Sequence, residues 1–141
     1  MMSDNDTQIS MQQAQAVTDY AIKWAQSNQQ NIAVAVVDSA GELITFSRMD
    51  LASPQTCLLA QNKAYTSARD RQKTSTLAKW ALSTNKTINF WTDTRITGMA
   101  GGAPVENSEN RVIGGVGISG MDEFEDEKLA VDAIETIFNN S

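Results

Sequence analysis

The chain has 141 residues, of which 41% are hydrophobic, and its formal net charge is −6 from 11 basic and 17 acidic residues. This length and composition predict one domain with one core over residues 10–141, preceded by a disordered N-terminus over residues 1–9. The acidic balance excludes nucleic acid as an expected partner, because neutralising phosphates requires clustered Lys and Arg. No apolar run approaches the roughly 20 residues that span a membrane, so no membrane association is expected.

Histidine is absent, and the single cysteine is Cys57. These two facts exclude an internal disulfide and the usual zinc sites, so no metal site is expected. A lone thiol fits a reducing compartment, and the N-terminus has no cationic start followed by an apolar block. We therefore expect a cytoplasmic protein, in which any catalysis would use carboxylates, Lys, Tyr, the thiol or backbone amides.

The N-terminal part of the chain predicts a helix followed by a pair of strands. Ser10 and Gln13 form a capping-box pattern ahead of apolar residues at helical spacing, which predicts a helix over residues 11–27. Residues 31–37 are apolar on both faces and predict a central, doubly covered strand. Residues 42–49 alternate in part and should pair antiparallel with it across a glycine-containing turn.

Two more helices are predicted next. Ser53 followed by Pro54 is a strong start signal, and the helix should run to about Asp70 with a face of small residues. A short helix is expected over residues 75–82. The segment 84–92 is the hardest to interpret, because it holds Phe90 and Trp91 in a polar setting. The simplest assignment for these aromatic side chains and Trp80 is the core or an interface between copies.

The C-terminal part is rich in glycine. Residues 98–105 and 111–120 predict two strands joined by the polar loop 106–110, and a last helix begins near Asp122. Glycine in a strand costs backbone entropy, so this density marks a place where another backbone or a ligand comes close. The order of elements predicts an α+β fold, an antiparallel sheet with helices packed on it.

Five segments in order resemble the GlcG/HbpS-like family, which includes the C-terminal domain of PduO-type proteins. They are Val36-Val-Asp-Ser-Ala-Gly41, Phe46-Ser-Arg-Met-Asp50, Asn62-Lys-Ala-Tyr-Thr66, Gly101-Gly-Ala-Pro-Val105 and Val112-Ile-Gly-Gly-Val-Gly-Ile-Ser-Gly120. The resemblance implies a profilin-like α+β domain with a five-stranded antiparallel sheet, assembled as a homo-oligomer (a dimer or larger). It also implies a haem-binding or haem-degrading protein, or an accessory protein of glycolate or diol metabolism.

The candidate ligand-binding residues lie at strand ends, in one helix and in the glycine-rich segments. At a pocket rim, the guanidinium group of Arg48 would bind a carboxylate through two hydrogen bonds. The alternative for Arg48 and the neighbouring Asp50 is a surface ion pair or a turn cap. A helical lysine is either solvated or held in a pocket as an anion anchor or base. Glycine-rich backbone and a helix N-terminus offer free N–H groups to a carboxylate or phosphate. The predicted set is Arg48, Asp50, Lys63, Gly101, Gly102, Pro104, Ser119 and Gly120.

Three functions remain open from the sequence. The leading hypothesis is a small-molecule-binding accessory protein whose pocket, near the glycine-rich strands, takes a small anionic organic ligand. The alternative is a cofactor-independent enzyme acting on an organic acid, with Lys63 as the catalytic proton-transfer group and glycine amides stabilising an oxyanion or enolate. The third is a haem protein, and without histidine its iron ligand would be Met49, Met99, Met121 or Tyr65.

A dinucleotide-binding fingerprint is matched only formally. Gly115, Gly117 and Gly120 have the spacing of that motif between a strand and a helix. However, only 21 residues follow Gly120, too few for a helix, a second parallel strand and its ribose-binding acid. The spacing therefore favours close packing at a strand-to-helix corner.

Overall fold

Four helices and four strands form an α+β fold in residues 6–139, the part of the chain that this computed structural model describes. The predicted helices and strands are all present. Their bounds are α1 Met11–Ser27, β1 Ala33–Asp38, β2 Leu43–Arg48, α2 Pro54–Arg69, α3 Thr74–Ser83, a 3-10 helix Ile88–Trp91, β3 Gly102–Glu106, β4 Val112–Ser119 and α4 Glu123–Asn139.

The sheet is antiparallel throughout, with strand order β2-β1-β4-β3. It has four strands within residues 6–139, so the five-stranded sheet expected from the family resemblance is wrong for this part of the chain. The edge at β3 shows one physical reason. The Gly102 N–H donates to Thr74 Oγ1 at 3.1 Å, and Pro104 has no N–H to offer, so this edge cannot pair with a further strand.

Helices cover both faces of the sheet, and the two faces differ in the size of their side chains. On one face α1 and α4 pack over large residues such as Val34, Val116 and Ile118. On the other face α2 packs over Ala33 and Ala35. Because the side chains on this second face are small, the α2 backbone approaches the strands closely.

The N-terminal segment contributes to the core at Ile9, which belongs to the range 1–9 for which disorder is predicted. Ile9 is only 4% exposed, and its N–H donates to the carbonyl of Ile113 at 3.0 Å. Its side chain also fills the space left by Gly114, where an added Cβ would lie 2.7 Å from Ile9 Cγ2. The prediction for residues 1–5 lies outside the described residues.

Candidate functional site

The glycine-rich strands pack directly against α2. A Cβ added at Gly115 would lie 2.6 Å from the Ala64 carbonyl oxygen and 2.6 Å from Ser67 Oγ. A Cβ at Gly117 would collide with the Ala60 carbonyl oxygen, and one at Gly102 with the carbonyl oxygen of the α2 lysine described next. The density of glycine predicted the close approach of another backbone or of a ligand. At these positions it is the backbone of α2 that comes close.

Lys63 points from α2 into the protein interior and forms a buried ion pair. Its Nζ lies 3.2 Å from Asp126 Oδ2 in the first turn of α4 and donates to the Ile118 carbonyl at 3.0 Å. The two side chains are 0% and 1% exposed. The Met121 N–H donates to the other carboxylate oxygen of Asp126 at 3.1 Å, so the pair joins α2, the end of β4 and the start of α4.

Burial dominates the electrostatics of this pair. Desolvation lowers the pKa of Lys63 below its usual value, against the opposing attraction of Asp126. Desolvation also raises the pKa of Asp126 to about 6, although the lysine acts in the opposite direction. Lys63 is therefore not solvated, and its charge already has a partner. An external anion could reach it only by displacing Asp126.

The predicted ligand-binding residues fall into separate places. Lys63 does meet Gly101 and Gly102, because a Cβ at Gly101 would lie 2.6 Å from Nζ and one at Gly102 would collide with the Lys63 carbonyl oxygen. Arg48 and Asp50 are exposed at the opposite edge of the sheet, at the end of β2, where Arg48 Nε donates to the Ala52 carbonyl at 2.9 Å. Three strand spacings separate that edge from β3, about 14 Å in all.

Of the other three predicted residues, Ser119 and Gly120 directly follow Ile118, whose carbonyl accepts from Lys63 Nζ, and Pro104 lies further along β3. Ser119 is buried at the end of β4, in register with Ala33 of β1. Gly120 follows at a corner with φ +131°, where a Cβ would lie 2.5 Å from the Asn31 carbonyl. Pro104 is half-buried on β3 and lines a cleft at the free edge of the sheet. The eight residues therefore do not line one pocket in this structure.

The segment Asn62–Thr66 of α2, one of the five that resemble the family, binds the loop that follows the 3-10 helix. The Tyr65 hydroxyl donates to Asp93 Oδ2 at 2.5 Å, and Thr66 Oγ1 accepts from the Thr97 N–H at 3.0 Å. The Arg95 guanidinium lies 3.8 Å from the centroid of the Tyr65 ring. The hydrogen bond between Tyr65 and Asp93 lowers the pKa of Asp93 and raises the pKa of Tyr65, so the aspartate stays ionised and the phenol neutral.

Three open clefts surround Trp91, which lines all of them. The first, of 530 Å³, lies beside Asp93; the second, of 320 Å³, is mainly aromatic; the third, of 290 Å³, lies towards Asp70. The second, which we call the aromatic hollow, is lined by Trp80, Lys86, Phe90 and Trp91.

The aromatic side chains of the hollow are unusually open to solvent. The Trp80 and Trp91 rings meet edge to face with centroids 5.4 Å apart, and Lys86 Nζ lies 5.4 Å from the Trp80 centroid. Trp80 is 49% exposed and Phe90 is 62% exposed. Assignment of these residues to the core is therefore wrong. The signal available in the sequence was the polar setting of Phe90 and Trp91.

Two other kinds of site were sought within residues 6–139. No group of three or more His, Cys, Asp and Glu side chains there is placed to hold a metal ion. None of the helices in that range combines the length and apolar character needed to cross a membrane.

Comparisons with known proteins agree with the sequence resemblance. The family model described as "Haem degrading protein HbpS-like" matches residues 9–135. Protein GlcG of Escherichia coli (strain K12) is 33% identical over 111 residues, which cover 79% of this chain and 81% of GlcG. A double mutant of Streptomyces reticuli HbpS superposes with a TM-score of 0.84 at 26% identity, covering 95% of this chain and 90% of that one. A PduOC–heme complex superposes with a TM-score of 0.83 at 25% identity, covering 94% and 96%. The chain therefore belongs to the HbpS-like family.

Proposed function

We propose that this protein binds a small, flat organic anion in the aromatic hollow, as a non-catalytic accessory protein. The observation that carries the proposal is the meeting of Trp80, Phe90 and Trp91 with one cation, Lys86, around an open space of 320 Å³. Aromatic faces favour stacking of a flat ring, worth about 0.5–1.5 kcal/mol for each ring pair beyond the burial of apolar area. The ammonium group supplies the attraction for a carboxylate.

The charges around Trp91 fix the orientation that we expect for the ligand. Asp70 and Asp93 line the two neighbouring clefts, and Tyr65 keeps Asp93 ionised by lowering its pKa. Arg69 also lines the cleft beside Asp93, so that side carries charges of both signs, whereas Lys86 is the charged side chain in the lining of the hollow and attracts a ligand carboxylate. The ring should therefore lie against the aromatic side chains with its carboxylate directed to the lysine.

The aromatic hollow is preferred to the pocket predicted near the glycine-rich strands. Binding at Lys63 would require its separation from Asp126, which leaves a buried carboxylate without its partner. The same separation would be needed before Lys63 could act as a base. Binding in the hollow requires neither step, because its side chains are already open to solvent.

Calorimetric titration with naphthoate tests the proposal, with naphthamide as the uncharged analogue. Trp91→Ala should weaken naphthoate binding at least about tenfold, which corresponds to 1.4 kcal/mol. Lys86→Gln should weaken naphthoate about two- to fivefold, as expected for an exposed charge, and leave naphthamide unchanged. Trp24→Phe is the matched control, because Trp24 packs against the α1/α4 core on the other face of the sheet. Wild-type affinity in Trp91→Ala, or no binding by the wild type, would exclude the hollow as the site.

Haem is a second candidate, favoured by the family description and by the PduOC–heme neighbour. The hollow suits the faces and the carboxylates of a porphyrin, but the side chains that line it include no usual iron ligand. Of the ligands considered from the sequence, Met49 accepts a hydrogen bond from the Ile32 N–H, and the Tyr65 hydroxyl is held by Asp93. Met99, 41% exposed, stays accessible. Iron coordination therefore does not fit the hollow, and a Soret shift on hemin titration that Met99→Leu abolishes would indicate a haem site elsewhere.

Three further features belong to the proposed function. The profilin-like description of the fold, the cytoplasmic location and the homo-oligomeric state stay predictions from the family resemblance and the composition. Large apolar side chains exposed on the single chain, such as Leu51 and Leu82, support assembly, because burial of such surface stabilises an interface.

A further inference from the structure

The smallest of the three clefts around Trp91 has no part in the anion site proposed above. It has a volume of 290 Å³ and is lined by Asp70, Gln72, Trp80 and Trp91, and we call it the indole cleft. It shares the two tryptophans with the aromatic hollow, whereas Lys86 lines the hollow alone. Ligand pockets commonly measure about 300–1,000 Å³, so a cleft of this size suits a small ligand.

The charge of the indole cleft is opposite to that of the aromatic hollow. Among the described residues that line these two spaces, Asp70 is the charged side chain of the cleft and Lys86 that of the hollow. Asp70 has no ion-pair partner within residues 6–139. Its Oδ2 accepts a hydrogen bond from the Gln72 side-chain amide at 2.7 Å, which orients the carboxylate without neutralising it. The cleft therefore attracts a cation.

The two arginines that flank Asp70 in the sequence are held at the turn between β1 and β2. Arg69 Nη1 donates to the Ala40 carbonyl at 3.1 Å, and Arg71 Nη1 donates to the Ser39 carbonyl at 3.0 Å. Arg69 lines the neighbouring cleft of 530 Å³, and neither arginine lines the indole cleft. A cation that approaches Asp70 from the side of the tryptophans therefore meets no guanidinium group in the lining.

The tryptophan rings favour an organic cation. Trp80 and Trp91 meet edge to face with centroids 5.4 Å apart, and Trp80 is 49% exposed. Of the aromatic side chains, the indole face attracts a cation most strongly. Methyl groups on an ammonium nitrogen also bury apolar surface against the rings, which a hydrated metal ion cannot do. Within residues 6–139, moreover, no group of three or more His, Cys, Asp and Glu side chains is placed to hold a metal ion.

We propose that the indole cleft binds an organic ammonium ion. The positive nitrogen pairs with the Asp70 carboxylate, and the alkyl groups around it lie against the indole rings of Trp80 and Trp91. The tryptophan pair thereby forms a wall between two sites that take ligands of opposite charge, an anion beside Lys86 and a cation beside Asp70.

Titration with tetramethylammonium chloride, followed in proton–nitrogen correlation NMR spectra, tests the site. The indole N–H signals of Trp80 and Trp91 should shift and reach saturation. The third tryptophan of the chain, Trp24, packs against the core on the other face of the sheet, so its signal should stay in place. Sodium chloride at the same concentrations should cause no saturable shift. The uncharged analogue tert-butanol should bind at least about threefold more weakly than tetramethylammonium.

Three variants assign the binding to the named side chains. Asp70→Asn should weaken tetramethylammonium binding about two- to fivefold, as expected for an exposed ion pair, and leave tert-butanol unchanged. Trp91→Leu keeps an apolar side chain but removes the indole face, and should weaken tetramethylammonium by a similar factor, about two- to fivefold. Asp19→Asn is the matched control, because Asp19 also accepts a hydrogen bond from a glutamine side chain, at 2.8 Å, but lies on α1. It should bind tetramethylammonium as the wild type does.

Unmoved Trp80 and Trp91 signals in the wild type would overturn the proposal. Wild-type affinity in Asp70→Asn or Trp91→Leu, or equal affinity for tert-butanol, would do the same. Far-ultraviolet circular dichroism checks that each variant is folded, and Asp70→Asn decides alone if Trp91→Leu is not. Failure of the anion site is distinguishable, because Lys86→Gln should weaken naphthoate and not tetramethylammonium, whereas Asp70→Asn should weaken tetramethylammonium and not naphthoate.

Discussion

Replacing Gly115 by alanine distinguishes a strand that supports a helix from a strand that lines a pocket. The new Cβ would lie 2.6 Å from the Ala64 carbonyl oxygen, 2.6 Å from Ser67 Oγ and 3.0 Å from the Ala68 nitrogen. Two of these atoms belong to the α2 backbone. They cannot rotate away, as the end of a long side chain could.

The cost can be worked out from these distances. Ordinary contact with a Cβ begins at 3.4 Å, so α2 must move away from the sheet by about 0.8 Å. Its alanine core loses contact over its length when it moves, and overpacking of this kind costs about 1–3 kcal/mol. We expect the upper end of this range because helix backbone is displaced. For a chain of this length, about 3 kcal/mol lowers the melting temperature by about 6–12 °C.

Urea unfolding followed by far-ultraviolet circular dichroism measures the effect. Gly98→Ala is the comparison variant, because its Cβ would lie 3.1 Å from the Ala78 Cβ, 3.2 Å from the Ile88 Cδ1 and 3.4 Å from the Ala78 Cα, so its neighbours need to move much less. We expect that variant to lose clearly less free energy of unfolding than Gly115→Ala does. A Gly115→Ala variant as stable as the wild type would refute the close packing of α2. It would also reopen the glycine-rich strands as a ligand site.

Two further predictions concern buried polar groups. Because burial raises the pKa of Asp126 to about 6, the stability this carboxyl adds is fully present below about pH 4 and is lost as the pH rises through about 6. The wild-type free energy of unfolding minus that of Asp126→Asn should therefore fall as the pH rises between these values in urea titrations; a difference independent of pH would contradict the assignment. Thr74→Val removes the acceptor of the buried Gly102 N–H and should cost about 1–3 kcal/mol in the same assay, whereas Thr74→Ser keeps the oxygen and most of the stability. Equal losses in both variants would point to packing instead of the hydrogen bond.

Local signals were enough to predict most of the helix and strand boundaries. The capping box of Ser10 and Gln13 is present, and α1 covers the predicted residues 11–27. Ser53 caps α2, which begins at Pro54 as predicted. These signals predict a helix end because the side chains that hydrogen-bond its free backbone N–H groups lie within four residues of that end along the chain.

The site could not be predicted in the same way, because its contacts are distant in sequence. Lys63 and Asp126 are 63 residues apart, and no spacing rule relates a residue of one helix to a residue of another. The glycine density correctly predicted a close neighbour of these strands. It could not identify that neighbour, because a bound ligand and a packed helix both require the absence of a side chain. Trp80 and Phe90 were assigned to the core or an interface because large apolar residues are mostly buried, and exposure of such residues is set by tertiary packing.

The close packing of α2 is the reason that we propose the ligand site elsewhere than at Lys63. The glycines at positions 101 and 102 lie against the side chain and the backbone of Lys63, so the lysine has no route to solvent past β3 while the helix stays in place. A buried ammonium requires a counterion, which Asp126 supplies, and the start of α4 is fixed as a consequence. Lys63, a residue of the family-like segment, therefore joins α2 to α4 in the packing of the fold. Side chains free to meet a ligand lie outside this packed region, in the aromatic hollow, and variants there should change binding with little loss of stability.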